Sequence, residues 1–361
     1  NNGILPLDKS KISTIGVIGP NANNRKALVG NYEGTASEYI TVLEGIKQQV
    51  GEDCRVLYSD GCHLYKDRIE NLGIANDRIS EVKGICEYSD IVICCMGLDA
   101  GLEGEEGDQG NQYASGDKPS LNLPGIQQEI IDVAIASGKP VILVLLSGSA
   151  LAITKAEEEC AGILYAGYPG AQGGKAVAQI LFGQYCPEGK LPITFYRTTE
   201  ELPEFTDYAM KDRTYRYMKK EALFPFGYGL SYSDFKLENV KLSAEEVSAE
   251  GITVDADITN TGDYDAAQTL QVYVKVEKEG TPNPQLKGLR KVFLKKGETQ
   301  HISLKLGQKA FGLYNEAGEL VIAEGNYSIY VGMSQPDTRS EVLTGKKTQQ
   351  YKVTASENRT L

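Results

Sequence analysis

One short stretch of this sequence carries a high density of carboxylates. Glu103, Glu105, Glu106 and Asp108 fall within six residues and are interspersed with glycines. Carboxylates crowded in this way repel one another, which raises the pKa of at least one member of the group. A carboxylic acid that keeps its proton near neutral pH can serve as a general acid. The alternative interpretation is a solvated turn, because glycine permits loop conformations that have no catalytic purpose.

Other residue patterns that could support chemistry do not meet their requirements. The stretch 16–19 (GVIG) does not satisfy the GxGxxG pattern, so no dinucleotide site is expected. Residues 147–149 (SGS) lack the GxSxG pattern of a serine hydrolase. The two histidines, His63 and His301, are interpreted as structural or surface residues, and without a CxxC pair they do not predict a zinc site. No cofactor and no metal ion are expected.

The elements that would position these residues alternate between strands and helices over the first 195 residues. Continuous apolar runs predict buried parallel strands at residues 15–18, 56–58, 91–96, 141–146, 163–165 and 191–194. Amphipathic segments between them predict helices at residues 39–50, 75–88, 124–136 and 171–182. This alternation indicates a parallel sheet covered by helices on both faces.

The topology of such a sheet brings several loops together. Loops that follow parallel strands meet at the carboxyl edge, where ligands bind in open α/β sheets. We therefore expect four loops to share one edge: residues 19–24, the acidic loop, residues 147–149 and the turn at 167–170, which contains Tyr168-Pro169-Gly170. Tyr168 is interpreted as part of a tight turn, with stacking on a ligand as the alternative.

From about Phe235 the apolar residues alternate with polar ones. Alternating runs lie at 252–258, 270–276, 302–306 and 327–331, separated by turn signals that contain glycine. Several short alternating strands of this kind predict an antiparallel β-sandwich. The predicted organisation is an α/β domain at 1–195, a connecting strap at 196–234 that is rich in Pro, Gly and Tyr, and the sandwich at 235–361.

Composition restricts the partners. The 361 residues carry a net charge of -12, and no run of 18 apolar residues occurs, so neither nucleic acid nor a membrane is an expected partner. All seven cysteines lie between Cys54 and Cys186. An odd number of this kind is typical of buried thiols in a reducing compartment, which favours the cytoplasm and leaves secretion open.

A series of motifs resembles the C-terminal half of glycoside hydrolase family 3 and follows that family's order. The motifs are NGILPL (2–7), IGVIGPNA (15–22), GNYEG (30–34), LPGIQQ (123–128), GYPG (167–170), GG (173–174), GKLP (189–192), RTYRY (213–217) and PFGYGLSY (225–232). The resemblance covers essentially the whole chain. It implies an α/β parallel-sheet sandwich domain followed by an all-β fibronectin type III-like sandwich.

The resemblance also implies an activity. Family members are retaining exo-glycosidases with an aspartate nucleophile on a (β/α)8 barrel and a glutamate acid/base on the sandwich domain. Residues 102–108 resemble the pattern I/L-E-A/G-E-G-x-D-R that carries this glutamate, and counting back three from Asp108 assigns Glu105 as the acid/base, with Glu103 as the alternative. Two departures bear on this assignment: Gln109 replaces the usual arginine, and an insertion precedes Leu123.

The family's barrel has no counterpart in this sequence. A retaining mechanism needs two carboxyl groups about 5–5.5 Å apart, so the resemblance implies that a barrel on another chain or on a missing segment supplies the nucleophile. The implied substrate is a terminal β-linked sugar of an oligosaccharide or glycoside, with β-xylosides preferred slightly over β-glucosides. The alternative is a non-catalytic binding or scaffold protein derived from a glycosidase. A homo-oligomer is compatible with either interpretation.

Overall fold

The computed structural model describes residues 3–103 and 118–361, and the chain divides into two compact units. The first unit comprises Asn1–Tyr185 with Tyr196–Thr199, and the second comprises Cys186–Phe195 with Glu200–Leu361. Among the described residues, no helix combines the length and the apolar character needed to cross a membrane.

The first unit is built on a five-stranded parallel sheet in the order β2-β1-β3-β4-β5. Its strands are β1 Thr14–Ile18, β2 Arg55–Ser59, β3 Ile91–Gly97, β4 Val141–Leu146 and β5 Gly162–Tyr165. Its helices are α1 Val42–Val50, α2 Ile79–Tyr88, α3 Gln127–Ala136, α4 Thr154–Glu159 and α5 Gly173–Leu181. Every residue of β3 and β4 is buried, as expected for central parallel strands with both faces covered.

Helices α1 and α5 approach each other through two glycines. A Cβ atom placed on Gly45 would lie 2.1 Å from the carbonyl oxygen of Gly174, and one on Gly174 would lie 1.9 Å from that of Thr41. Such contacts exclude any side chain at either position. The first residues of α1 are fixed by a capping box, in which Thr41 and Glu44 bond to each other's backbone N–H.

The second unit is an antiparallel β-sandwich. A three-stranded sheet has the order β10-β7-β6, a four-stranded sheet the order β14-β13-β8-β9, and a short sheet the order β11-β12-β15. The strands are β6 Phe235–Leu242, β7 Ile252–Asn260, β8 Ala266–Val276, β9 Gln285–Leu294, β10 Thr299–Leu306, β11 Leu313–Tyr314, β12 Leu320–Ile322, β13 Gly325–Gly332, β14 Gln349–Ala355 and β15 Arg359–Thr360. Two short helices, α6 Thr214–Tyr217 and α7 Thr338–Thr344, complete the unit. This α/β domain followed by a β-sandwich confirms the predicted fold class.

Strand β8 is buried on both faces, although a sandwich strand normally exposes one of them. The segment before the sandwich covers its outer face. Tyr215 stacks on Phe226 at 4.2 Å between ring centroids and meets the ring of Tyr273 edge-on at 6.3 Å. Gln271 donates to the carbonyl oxygen of Gly227 at 2.9 Å. The segment around Tyr215 and Gly227 is therefore an integral part of the second unit.

Several local predictions differ from the structure. Residues 191–194 are predicted as a strand but form none, and only the following residue, Phe195, makes an isolated bridge, to Phe224. Helix α4 is not predicted, because its sequence TKAEEE offers hardly any apolar periodicity. Helices α1, α2 and α3 begin at Val42, Ile79 and Gln127, three or four residues beyond the predicted starts at 39, 75 and 124.

Candidate functional site

The candidate site lies where strand β3 ends and the acidic loop begins. The chain turns sharply after Gly97: the backbone N–H groups of Leu102 and Glu103 donate to the carbonyl oxygen of Asp99 at 3.1 and 3.2 Å. The carboxylate of Asp99 also accepts the N–H of Leu102 at 3.1 Å. This turn brings the Glu103 side chain back over the carboxyl edge of the sheet.

The carboxylate of Glu103 is bound by three donors from two other loops. The backbone N–H of Gly148 donates to Oε2 at 2.8 Å, and the Ser149 hydroxyl donates to Oε1. The Tyr168 hydroxyl also donates to Oε2. Because these donors follow β4 and β5, the loops after β3, β4 and β5 share one edge, as the topology predicted.

The phenol of Tyr168 is suited to act as a permanent donor. Burial raises its pKa far above the usual range, and the adjacent Glu103 carboxylate raises it further. The phenol therefore keeps its proton throughout the physiological pH range. The hydroxyl of Tyr168 thus has a defined role toward Glu103.

A partly buried cation, Lys118, follows the acidic segment in the sequence. The Nζ atom of Lys118 donates to the carbonyl oxygen of Ala150 at 2.9 Å. Burial lowers the pKa of the Lys118 ammonium, an effect that the nearby Glu103 carboxylate partly opposes. Lys118 was not singled out in the sequence, since no local pattern distinguishes it from a surface lysine.

Two buried amide side chains hold the strand ends in place. Gln127 accepts the N–H of Gly97 at 2.8 Å and donates to the carbonyl oxygens of Gly97 and Leu64 at 2.8 and 2.7 Å. Asn21 donates to the carbonyl oxygen of Leu98 at 2.9 Å. Both belong to motifs quoted above, IGVIGPNA and LPGIQQ, and their contacts explain why amides occur there.

The other candidate residues from the sequence either lie outside the described residues or make only local contacts. Glu105, the assigned acid/base, lies outside the described residues, as do Glu106 and Asp108. The Ser147 hydroxyl donates to the carbonyl oxygen of Ser149 at 2.7 Å, which is a local turn contact and not a nucleophile–base pair. Within residues 3–103 and 118–361, no group of three or more His, Cys, Asp or Glu side chains is arranged to hold a metal ion.

The two histidines have structural or surface environments. The Nδ1 atom of His63 accepts the N–H groups of Tyr65 and Lys66 at 3.2 and 3.1 Å, and burial lowers the pKa of its imidazole. His301 is exposed and lies 2.7 Å from Asp257 in the β-sandwich. Neither imidazole is among the groups that hydrogen-bond to Glu103.

Comparisons with known proteins agree with the fold and the motifs. The glycosyl hydrolase family 3 C-terminal domain matches residues 1–232, and the fibronectin type III-like domain matches residues 268–335. A β-xylosidase of Formosa agariphila is 35% identical over 96% of this chain, and a periplasmic β-glucosidase of Salmonella typhimurium is 30% identical over 91%. The chain spans 48% and 46% of the length of these two relatives.

A solved structure has a similar fold. The β-glucosidase of Bifidobacterium adolescentis, described as a family 3 glycoside hydrolase, superposes with a TM-score of 0.80 at 28% identity. The alignment covers 98% of this chain and 50% of that protein. The match extends over both the α/β unit and the β-sandwich.

Proposed function

Because this chain belongs to glycoside hydrolase family 3, we propose that it forms part of a retaining, exo-acting β-glycosidase and supplies its general acid/base. The observation that carries the proposal is the attachment of Glu103 to the carboxyl edge of the sheet. That edge is where ligands bind in open α/β domains. Glu105 follows two positions later and fits the family's acid/base pattern, with Glu103 as the alternative.

The proposed reaction proceeds in two steps. A carboxylate nucleophile attacks the anomeric carbon of the terminal sugar while Glu105 gives its proton to the glycosidic oxygen, so the aglycone leaves as an alcohol. The Glu105 carboxylate then takes a proton from water, and the resulting hydroxide attacks the anomeric carbon and releases the nucleophile. Glu105 ends the cycle protonated, as it began.

In this proposal the nucleophile lies outside the present sequence. A retaining mechanism requires a second carboxyl group about 5–5.5 Å from the first, on the opposite side of the scissile bond. We assign it to a (β/α)8 barrel, carried on another chain or on a segment outside this sequence. This assignment is supported by the two relatives, because this chain covers only 48% and 46% of their lengths.

The substrate proposed is a terminal β-linked sugar, with β-xylosides slightly preferred over β-glucosides. A relative named β-xylosidase matches this chain at 35% identity and one named β-glucosidase at 30%. The resemblance of the acidic loop, the GNYEG segment and the RTYRY segment points in the same direction. Parallel assays with 4-nitrophenyl β-xyloside and 4-nitrophenyl β-glucoside decide between them.

The decisive test replaces the acid/base in the complete enzyme, that is, this chain together with its barrel. In Glu105→Gln, we expect hydrolysis of xylobiose to fall by at least about 10²-fold, because proton transfer to a poor leaving group contributes about 10²–10⁴-fold. Release of 2,4-dinitrophenolate, which needs no proton, should continue in the glycosylation step. Azide should then accept the sugar from the glycosyl-enzyme and yield a glycosyl azide, detected by mass spectrometry.

The matched control is Glu106→Gln, which removes a neighbouring carboxylate that the family pattern does not assign. We expect it to retain hydrolysis of xylobiose and to form no azide product. Equal loss on both kinds of leaving group in Glu105→Gln would count against the acid/base role. A complete enzyme that cleaves neither glycoside would favour the scaffold interpretation.

A further inference from the structure

The carboxylate of Glu103 is held by protein hydrogen bonds, whereas a residue that protonates a substrate needs an oxygen free to reach it. Both of its carboxylate oxygens accept hydrogen bonds, Oε1 from Ser149 and Oε2 from Gly148 and Tyr168. The three donors come from loops 45 to 65 residues further along the chain. A side chain bound in this way ties three loops together.

Gly148 packs closely against Tyr168 and Glu103. A Cβ atom placed on Gly148 would lie 2.8 Å from a ring carbon of Tyr168 and 2.9 Å from Oε2 of Glu103. A side chain at this position would therefore displace the Tyr168 ring or the Glu103 carboxylate. The neighbouring Ser149 is fixed as well, because its N–H donates to the Ser147 hydroxyl at 3.2 Å.

The same loop also holds the residue that follows the acidic segment. Lys118 donates from Nζ to the carbonyl oxygen of Ala150, directly after the two residues that bind Glu103. Glu103 and Lys118 lie on either side of the segment 104–117 in the sequence. Both flanks of the segment that carries Glu105 are thus attached to one four-residue loop, 147–150.

We propose that Glu103 is a positioning residue: with Tyr168, Ser149 and Lys118 it fixes the described residues on either side of segment 104–117, and proton transfer by Glu105 depends on this attachment. This inference rests on the proposed function, since it assigns proton transfer to Glu105. Glu103 itself transfers no proton to or from the substrate.

Tyr168→Phe in the complete enzyme removes one donor and nothing else. We expect kcat/KM for xylobiose to fall about 10-fold, while kcat/KM for 2,4-dinitrophenyl β-xyloside changes less than about 2-fold, because only the first substrate depends on protonation. Tyr88→Phe is the matched control, since Tyr88 is 69% exposed on helix α2. Equal loss on both substrates in Tyr168→Phe would overturn the positioning role, because general destabilisation acts on both alike.

Glu103→Gln separates positioning from catalysis. We expect a loss of about 100-fold on xylobiose, within the range that proton transfer contributes, and no glycosyl azide when azide is added. Glu105→Gln should form the azide product under the same conditions. An azide product from Glu103→Gln would overturn the inference, because it would identify Glu103 as the acid/base while leaving the proposed glycosidase function intact.

Hydrogen exchange provides a readout that does not depend on activity. The amide of Gly148 donates to Glu103, so its exchange should accelerate at least about 10-fold in Glu103→Ala, which removes the acceptor, and stay unchanged in Glu158→Ala, a substitution on the exposed surface of α4. Unchanged protection in Glu103→Ala overturns the anchor. Accelerated exchange in an enzyme that cleaves no glycoside would support the anchor and overturn only the proposed function.

Discussion

At the scale of single residues, buried amide side chains secure the edge on which the candidate site is built. Gln127 is completely buried and makes three hydrogen bonds, two of them to the backbone of Gly97. Gly97 itself has φ +130°, and a Cβ atom there would lie 1.9 Å from the carbonyl oxygen of Leu146. The turn into the acidic loop therefore depends on a glycine and on the amide that binds it.

Replacing Gln127 tests this dependence. Gln127→Leu preserves approximate volume but leaves the N–H and carbonyl of Gly97 without their partner, and we expect a loss of about 2–4 kcal/mol in the free energy of unfolding of the first unit. Urea denaturation measures this change. Gln48→Leu, on the exposed face of α1, is the control and should change stability by less than about 0.5 kcal/mol.

Lys190 provides a second test at this scale. Its Nζ atom donates to the carbonyl oxygen of Gly229 at 2.6 Å, and burial lowers its pKa from 10.5 to about 8, with the positive charge of Lys346 acting in the same direction. Between about pH 8 and 10.5 the unfolded chain therefore binds more protons at this site than the folded chain. Stability attributable to Lys190 should rise with pH across that window and stay constant below it.

The measurement compares the wild-type chain with Lys190→Met by urea denaturation at pH 7, 8, 9 and 10. Taking the difference removes the contribution of groups that titrate in both proteins. The stability of the wild type relative to the variant should increase by about 1–3 kcal/mol between pH 8 and pH 10. A difference that stays flat over this range would show that the Lys190 ammonium is not penalised by burial.

The sequence predicts the sheet edge on which Glu103 lies but not the residues that contact Glu103. The crowding of carboxylates and the rule for parallel sheets placed the acidic loop at the carboxyl edge, where Glu103 is found. The assignment of Glu105 stays a prediction. The contacts of Tyr168 and Lys118 could not be predicted, because they join residues that are distant in sequence and depend on the conformations of two loops.

At the scale of secondary-structure elements, the close approach of α1 and α5 makes a specific prediction. Gly45→Ala would place a methyl group 2.1 Å from the carbonyl oxygen of Gly174, and we expect it to destabilise the first unit by at least about 2 kcal/mol. Gly84→Ala in α2 is the matched control: no atom lies within 4 Å of the added carbon, so it should stabilise by about 0.5–1 kcal/mol. Urea denaturation of both variants measures these changes, and two changes of the same sign would contradict this account of the packing.

Most elements were predictable because their burial is simple. Strands β3 and β4 are buried on both faces and therefore appear as uninterrupted apolar runs, and β7 alternates because one face is partly exposed. The double burial of β8 is harder to foresee, since the cover comes from a segment about 50 residues earlier. Residues 191–194 form no strand. Sequence periodicity does not distinguish a short apolar segment that only packs from one that pairs as a strand.

At the scale of the whole molecule, the proposed division of catalytic groups predicts how activity depends on composition. This 39.3 kDa chain alone should hydrolyse neither 4-nitrophenyl β-xyloside nor 4-nitrophenyl β-glucoside, because it supplies one of the two required carboxyl groups. Native mass measurement with a denaturing gel of the same peak shows whether a polypeptide of barrel size accompanies it. Turnover by the isolated chain at a rate comparable to that of the complete enzyme would contradict the proposal.

The aromatic segment packed on β8 bears on how this β-sandwich can be inherited or grafted. A gene fusion that begins at Phe235 would contain the strands but lack the segment that packs on Tyr273 and Gln271. The exposed face of β8 would then favour self-association. A fusion that begins at Cys186 would carry the cover with it. The exchangeable module, for recombination in evolution and for the engineer alike, is thus about 50 residues longer than the sandwich itself.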